Sequence, residues 1–140
     1  MDIAISTDRA RLDVAFIHRY LSEESYWARG RSRAEAQTTI DNSICFGAYQ
    51  EGRQVAFARV VTDGVVFGYL ADVFVDPSHR GRGISRRLME AVLAHPVVKD
   101  LQLVLLRTTD AQGLYAQFGF TALKEPAMLM VKRAPGLPPA

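Results

Sequence analysis

An α/β fold is predicted, built on a mixed, mostly antiparallel central sheet of about six to seven strands with helices on both faces. Three observations carry that prediction. The middle of the chain holds three runs rich in β-branched and aromatic residues, separated by Glu51-Gly52 and Asp63-Gly64. Between residues 65 and 106 the order becomes strand, Gly-rich loop, helix, strand, which calls for a parallel crossover. Finally, 49% hydrophobic and 23% charged residues over 140 positions is the balance of one compact domain with room for a core.

Each element follows in order. Residues 2–6 alternate as a short strand does. Residues 8–21 place Leu12, Phe16 and Tyr20 four apart, with Ala15 beside them, the spacing of an amphipathic helix. The stretch 26–33 (YWARGRSR) is a loop around Gly30. Ser32 with Glu35 three residues on predicts a capping box opening a second helix to about Asn42. Residues 44–49, 55–61 and 65–75 predict an antiparallel meander, because Asp-Gly between strands suits a two-residue turn with positive φ. The third run holds a single charge, Asp72, in eleven residues, as a strand covered on both faces would. Asp76-Pro77 ends it.

A helix is expected over residues 83–95, with Ile84, Leu88, Ala91 and Val92 on one face and Pro96 closing it. Residues 101–106 form the next buried strand. Thr109 or Asp110 caps a short helix running through Phe118, with Gly119 at its C′ position. Residues 120–123 and 127–131 then close the sheet as a pair. Residues 1–133 make one domain, and the Pro/Gly-rich 134–140 (APGLPPA) is expected to fray.

Composition excludes several function classes. No apolar run approaches the roughly 18 residues of a membrane span. The start carries acids and no apolar stretch, so no signal peptide is expected. One cysteine, Cys45, cannot form an internal disulfide, which sets a reducing, cytoplasmic location as the default. Three scattered histidines, His18, His79 and His95, give no metal-ligand spacing, so no metal is expected. Net charge is +2, too small to argue nucleic-acid binding. Its distribution is more telling: 14 of 17 basic residues are Arg, and Arg80, Arg82, Arg86 and Arg87 crowd into eight positions holding no acid. Cations are unfavourable beside a helix N-terminus. Their concentration there, off any exposed helix face, points to an anionic small-molecule ligand rather than to a nucleic acid.

The stretch 73–88 (VFVDPSHRGRGISRRL) ends a buried strand, runs through a Gly-rich loop and opens a helix. Gly81 and Gly83 let backbone approach a ligand closely. The helix start offers unpaired N–H groups backed by the helix dipole, together a site for phosphate. A Walker loop requires a Lys that is missing here. A dinucleotide fingerprint requires Gly where Arg86 stands, and a βαβ unit the antiparallel meander does not provide.

This segment resembles the acetyl-CoA-binding motif of the GNAT superfamily of N-acetyltransferases, [R/Q]-x-x-G-x-[G/A], with Arg80, Gly83 and Ser85 in its defining places. Ser85 departs from the usual Gly or Ala but is small. The downstream run 111–120 (AQGLYAQFGF) is similar to the family's A-x-x-x-Y-x-x-x-G-F signature, and Thr108 stands where many members carry Asn. The resemblance implies a GNAT-like sheet and transfer of acetyl from acetyl-CoA directly to a primary amine, in a ternary complex without an acyl-enzyme. It implies that the pantetheine arm lies between two splayed strands, 70–75 and 101–106, with Phe74 and Val75 as main-chain partners. The loop residues Arg80, Gly81, Arg82, Gly83, Ile84, Ser85 and Arg86 would hold the pyrophosphate, chiefly by main-chain amides. Tyr115 would be the general acid towards the departing thiolate, and a main-chain N–H near Val73–Phe74 would stabilise the oxyanion.

Asp72 has two readings: an ion pair with an Arg such as Arg59 or Arg107, or a catalytic role as general base or as anchor of a cationic acceptor. Tyr26 and Trp27 lie where the family builds its acceptor site and suit an amine-binding wall through cation–π contact, or else a packed loop anchor. Asp76 suits an Asx-type turn, and Cys45 a core position. The acceptor is a small-molecule or peptide amine, and family members often dimerise through late strands. A non-catalytic acyl-CoA-binding or regulatory module on the same fold is the alternative.

Overall fold

A computed structural model describes residues 2–137. The chain forms two compact units, Met1–Arg107 and Thr108–Ala140. The first holds a five-stranded sheet in sequential order: β1 (Ala4–Ser6), β2 (Ile44–Gln50), β3 (Arg53–Thr62), β4 (Phe67–Val75) and β5 (Leu103–Leu105). Pairing is antiparallel from β1 to β4 and parallel between β4 and β5. The mixed, mostly antiparallel architecture is the expected one, and five strands stand where six to seven were expected.

Helices cover both faces. The helix predicted over 8–21 is broken in two: Asp8 caps a 3₁₀ turn at Arg9–Arg11, and Leu12 is extended. Asp13 then caps α1 (Val14–Arg19), accepting from Phe16 N–H at 3.0 Å. A π-turn at Tyr20–Glu24 continues it. α2 (Arg33–Asp41) opens with the predicted Ser32–Glu35 capping box. Phe16, Ile17, Tyr20, Leu21 and Ile40 from this side bury against Cys45, Phe57 and Phe74 of the sheet. The opposite face carries α3 (Ile84–Ala94), whose Ile84, Leu88, Met89 and Val92 are buried and whose following His95 meets the Phe46 ring edge-on.

The Glu51-Gly52 turn takes positive φ at both residues, as predicted. Asp63-Gly64 does not make a two-residue turn. Asp63 Oδ1 instead accepts from the N–H groups of Val65, Val66 and Phe67, organising a wider loop.

The second unit carries α4 (Gln112–Ala116). Thr108 Oγ1 accepts from Ala111 N–H at 3.0 Å, so Thr108 supplies local capping one turn ahead of α4, where Thr109 or Asp110 was expected to do so. Gly119, at φ 91°, ends the helical segment. The pair expected at 120–123 and 127–131 is not formed. Pro126–Met128 makes a 3₁₀ turn, and Leu123, Met128, Leu129, Met130 and Val131 are exposed, so these residues bury too little apolar surface to offset ordering into a ladder. Among the described residues no helix is long and apolar enough to cross a membrane.

Candidate functional site

The geometry of the site begins with a defect in β4. Register runs Phe57↔Phe74 and then Arg59↔Ala71, so β3 advances two residues while β4 spends three. The extra residue is a β-bulge, and Asp72 within it sits at φ 54°. A non-Gly residue there needs its surroundings to hold it. Asp72 is 5% exposed and accepts three donors: Trp27 Nε1 on Oδ1 at 2.8 Å, and Arg31 Nη1 and Arg59 Nε on Oδ2 at 2.6 and 2.7 Å. Burial alone would push its pKa up. The two guanidiniums and the indole donor outweigh burial and hold it below the ordinary carboxylate value.

The expected partner Arg59 is thus present, joined by Arg31. Arg107, the other candidate, makes no ion pair with Asp72. Sequence reasoning passed over Arg31 as one of several loop arginines. A lone acid in a buried strand and an Arg-rich loop after the first helix were the two halves of the signal.

The loop 26–33 is therefore tied to the bulge by side chains from two of its residues. Trp27 is 40% exposed and Tyr26 51%, their rings meeting edge-on at 5.0 Å. His18 Nε2 donates to the Arg31 carbonyl at 3.0 Å, bracing the loop from α1.

Beyond the bulge β4 has an open edge. β5 pairs only with Phe67–Tyr69, so among the described residues 70–75 pair with β3 alone. Phe74 stacks on Tyr20 at 4.0 Å, fixing this end against the core. Its neighbour Val75 gives its carbonyl to Arg80 Nε at 3.3 Å, and Arg80 Nη2 donates to the Tyr20 hydroxyl at 2.8 Å. Arg80 thus folds back along the strand end and shapes the loop. Arg87 likewise turns away, with Nη2 on the Ile3 carbonyl at 2.8 Å.

The loop's backbone is shaped by its glycines. Gly81 and Gly83 take φ 78° and 75°, and a Cβ on either would meet nothing within 4 Å. The left-handed conformation, and not crowding, requires glycine here. Gly83 is the N-cap of α3, makes no side-chain cap, and is followed by no acid in the first turn. α3 therefore opens at Ile84 as an eleven-residue helix whose N-cap glycine offers no side chain to the N–H groups of the first turn. An anion fits this cradle, and a chain carrying amides fits the open edge leading to it.

Before the loop, Asp76, Ser78 and His79 form a local turn. Ser78 donates to Asp76 Oδ2, and His79 Nδ1 lies 3.1 Å from the same oxygen. Burial works against ionisation of Asp76, but Ser78 and His79 prevail and its pKa is lowered. Cys45 is buried, and desolvation pushes its thiol up to about 11, against nucleophilic use. Among the described residues no three His, Cys, Asp or Glu side chains converge as a metal site. Tyr115 lies on α4 in the second unit, where its ring meets Phe120 edge-on at 5.9 Å and its carbonyl accepts from the Phe120 N–H.

Comparison with known proteins points one way. Residues 41–122 match the model of the acetyltransferase (GNAT) domain. A Gibberella zeae protein named as an acetyltransferase is 35% identical over 139 positions, covering 83% of this chain and 77% of that protein. A crystal structure from Xanthomonas campestris pv. campestris, assigned to the GNAT family, is 50% identical, covers 98% of this chain and 96% of its own, and superposes with a TM-score of 0.94. An acetyltransferase from Clostridium acetobutylicum, crystallised with acetyl-CoA, shares the fold at a TM-score of 0.67 and 15% identity, covering 89% of this chain and 92% of its own.

Proposed function

The chain belongs to the GNAT family of acetyltransferases, and on that premise we propose that it moves an acetyl group from acetyl-CoA directly to a primary amine in a ternary complex. The observation that carries this reading is the unbroken sequence of open β4 edge, positive-φ glycine loop and an α3 start whose N-cap is itself a glycine. That sequence of features offers main-chain partners to an amide-bearing arm and then to a diphosphate.

Bound acetyl-CoA supplies a thioester, a carbonyl activated towards attack by an amine. The chain's own residues do the rest. The main chain of Phe74 and Val75 holds the arm. The amides of Gly81, Gly83, Ile84, Ser85 and Arg86 hold the diphosphate, with Arg82 adding charge, and Arg80 keeps the loop in shape through Tyr20. A main-chain N–H near Val73–Phe74, turned by the bulge, donates to the carbonyl oxygen as negative charge develops there.

An amine with a pKa near 10.4 is neutral in roughly one molecule in a few thousand at pH 7, a deficit of about 4 to 5 kcal/mol. Asp72 is a poor base for that proton, since three donors occupy it and its pKa is lowered. Its role is to position Trp27 and Arg31, and with Tyr26 these form the acceptor wall. The proton leaves to water. Tyr115 donates towards the departing thiolate. Full transfer from a phenol near 10 to a thiol near 8.5 is uphill by about 2 kcal/mol, so hydrogen bonding to the sulfur is the larger contribution.

Following free thiol while acetyl-CoA is incubated with a panel of amines tests this reading. Amine-dependent release at a 1:1 ratio with acetylated product is expected. Saturable acetyl-CoA binding with no release from any amine would leave the non-catalytic module as the better description. In Tyr115→Phe, kcat should fall with little change in acetyl-CoA affinity, and an unaltered kcat removes Tyr115 from the mechanism.

A further inference from the structure

The one acid of β4 faces more positive charge than it can balance. Arg31 and Arg59 both bond the same oxygen of Asp72, whose side chain is 2% exposed. Two guanidiniums against one carboxylate leave one positive charge over. The two arginines are not equivalent. Arg59 is 11% exposed and gives its Nη1 to Ser43 Oγ at 3.2 Å, so it is committed to the interior. Arg31 is 21% exposed, and among the described residues its Nε and Nη2 donate to no side chain. The surplus charge therefore lies on the Arg31 side, where the fully exposed carboxylate of Glu35 is the next acid to feel it, and Arg31 keeps donors in the planar fork that fits an oxyanion.

Place matters as much as charge. Asp72 precedes Phe74 by two residues, about 7 Å along a strand, on the side away from the diphosphate loop. That is where the reacting end of a ligand laid along 70–75 falls. Trp27 is tethered to the other oxygen of the same carboxylate, so Arg31 and the indole are held together at this point. Asp72 already accepts three donors, two of them guanidiniums, so it has little net negative charge to offer a cationic acceptor.

We propose that the acceptor carries a carboxylate beside the amine it presents, that Arg31 receives this carboxylate, and that Trp27 is the wall along which the rest of the acceptor lies. This rests on the acetyl-transfer reading above and narrows its acceptor to an amino acid or a close analogue. Arg31 and Trp27 are then specificity-determining residues, and Asp72 is the positioning residue that sets both.

Trp27 is the only tryptophan in the chain, so tryptophan emission reports this point alone. The wild-type protein with coenzyme A is titrated with matched pairs: L-phenylalanine and phenethylamine, L-lysine and cadaverine, β-alanine and propylamine. O-Phosphoethanolamine and ethanolamine form a phosphate arm. In at least one pair the carboxylate member should act at about tenfold or more lower concentration, the scale of a charge-assisted hydrogen bond. Arg31→Gln should abolish the preference, and Arg31→Lys should keep part of it. The melting temperature of each variant is followed, and Arg31→Lys carries the comparison if Arg31→Gln melts below the assay temperature.

Equal action by both members of every pair, a preference that survives substitution of Arg31, or an emission no compound moves overturns the inference. A phosphate preference exceeding every carboxylate preference overturns the carboxylate assignment. Thiol release measured on the same samples with acetyl-CoA separates the two readings. Release from plain amines without a carboxylate preference sinks this inference alone. An Arg31-dependent preference without release from any compound sinks acetyl transfer alone.

Discussion

At the C-terminal end of β4 the chain presents main-chain groups, whereas a few residues earlier, at Asp72, it presents side chains. The loop 80–86 holds two positive-φ glycines, one of them the N-cap of α3, and the side chains of Arg80 and Arg87 are turned onto Tyr20 and the Ile3 carbonyl. The bulge inverts that arrangement: a residue in strained backbone is held there by the bonds its own carboxylate makes. The difference teaches where substitution is tolerated. Recognition by amides depends on backbone shape and is insensitive to most side-chain changes. Recognition by a charge cluster depends on every member. One end suits a ligand common to a whole family, and the other suits a ligand particular to this chain.

The largest effect should come at the bulge. Asp72→Ala leaves Arg31 and Arg59 facing one another without a counter-ion and should destabilise by about 3 to 5 kcal/mol, towards the lower figure because Arg31 reaches solvent. Urea unfolding measures it, and a loss under about 1 kcal/mol would mean the ion pairs contribute little. The same group sets an acid limit. Its folded pKa lies below the unfolded value of 3.8, so its stabilisation is present above that value and is lost as pH falls through the folded pKa. Wild-type stability should therefore decline below about pH 4, and more steeply than that of Asp72→Ala.

At the loop, Gly83→Val forces a β-branched residue into φ 75°, at about 1 to 2 kcal/mol of stability. Acetyl-CoA affinity should fall by tens of fold or more, equivalent to about 2 kcal/mol. Calorimetry showing wild-type affinity in this variant would break the backbone half of the comparison. Arg80→Met is expected to lose about 1 to 2 kcal/mol through Tyr20 and Val75, and Arg80→Lys should not restore it, because one ammonium cannot serve both acceptors with the same fork. Tyr49→Phe should be the mildest. Among the described residues the buried Tyr49 hydroxyl has no hydrogen-bond partner, so removing it should leave stability within about 1 kcal/mol of wild type or raise it.

The backbone end was legible in the sequence because glycines, a strand-ending Asp76-Pro77 and a helix start are local signals. So were the Ser32–Glu35 capping box and the Glu51-Gly52 turn. The side-chain end was legible only in part. Asp72 stood out as a lone acid and Arg59 was named for it, but nothing local marks an Asp as the positive-φ residue of a bulge, since its long-range partners allow the conformation. Arg31 lies 41 positions from Asp72, and no periodicity links them. Arg80 and Arg87 were counted as charge near the loop, yet charge says nothing of direction, and their fork geometry found Tyr20 and Ile3. The late residues 120–123 and 127–131 have strand-like composition, but composition does not supply the buried face a strand needs.

The most direct test of the central claim is a ¹⁵N–¹H amide titration with acetyl-CoA at near-physiological salt. Saturable shifts are predicted at Gly81, Gly83, Ile84, Ser85 and Arg86, with Val73, Phe74 and Val75 moving in step. Saturation that moves other amides while these stay still, or no saturation at all, would contradict the account.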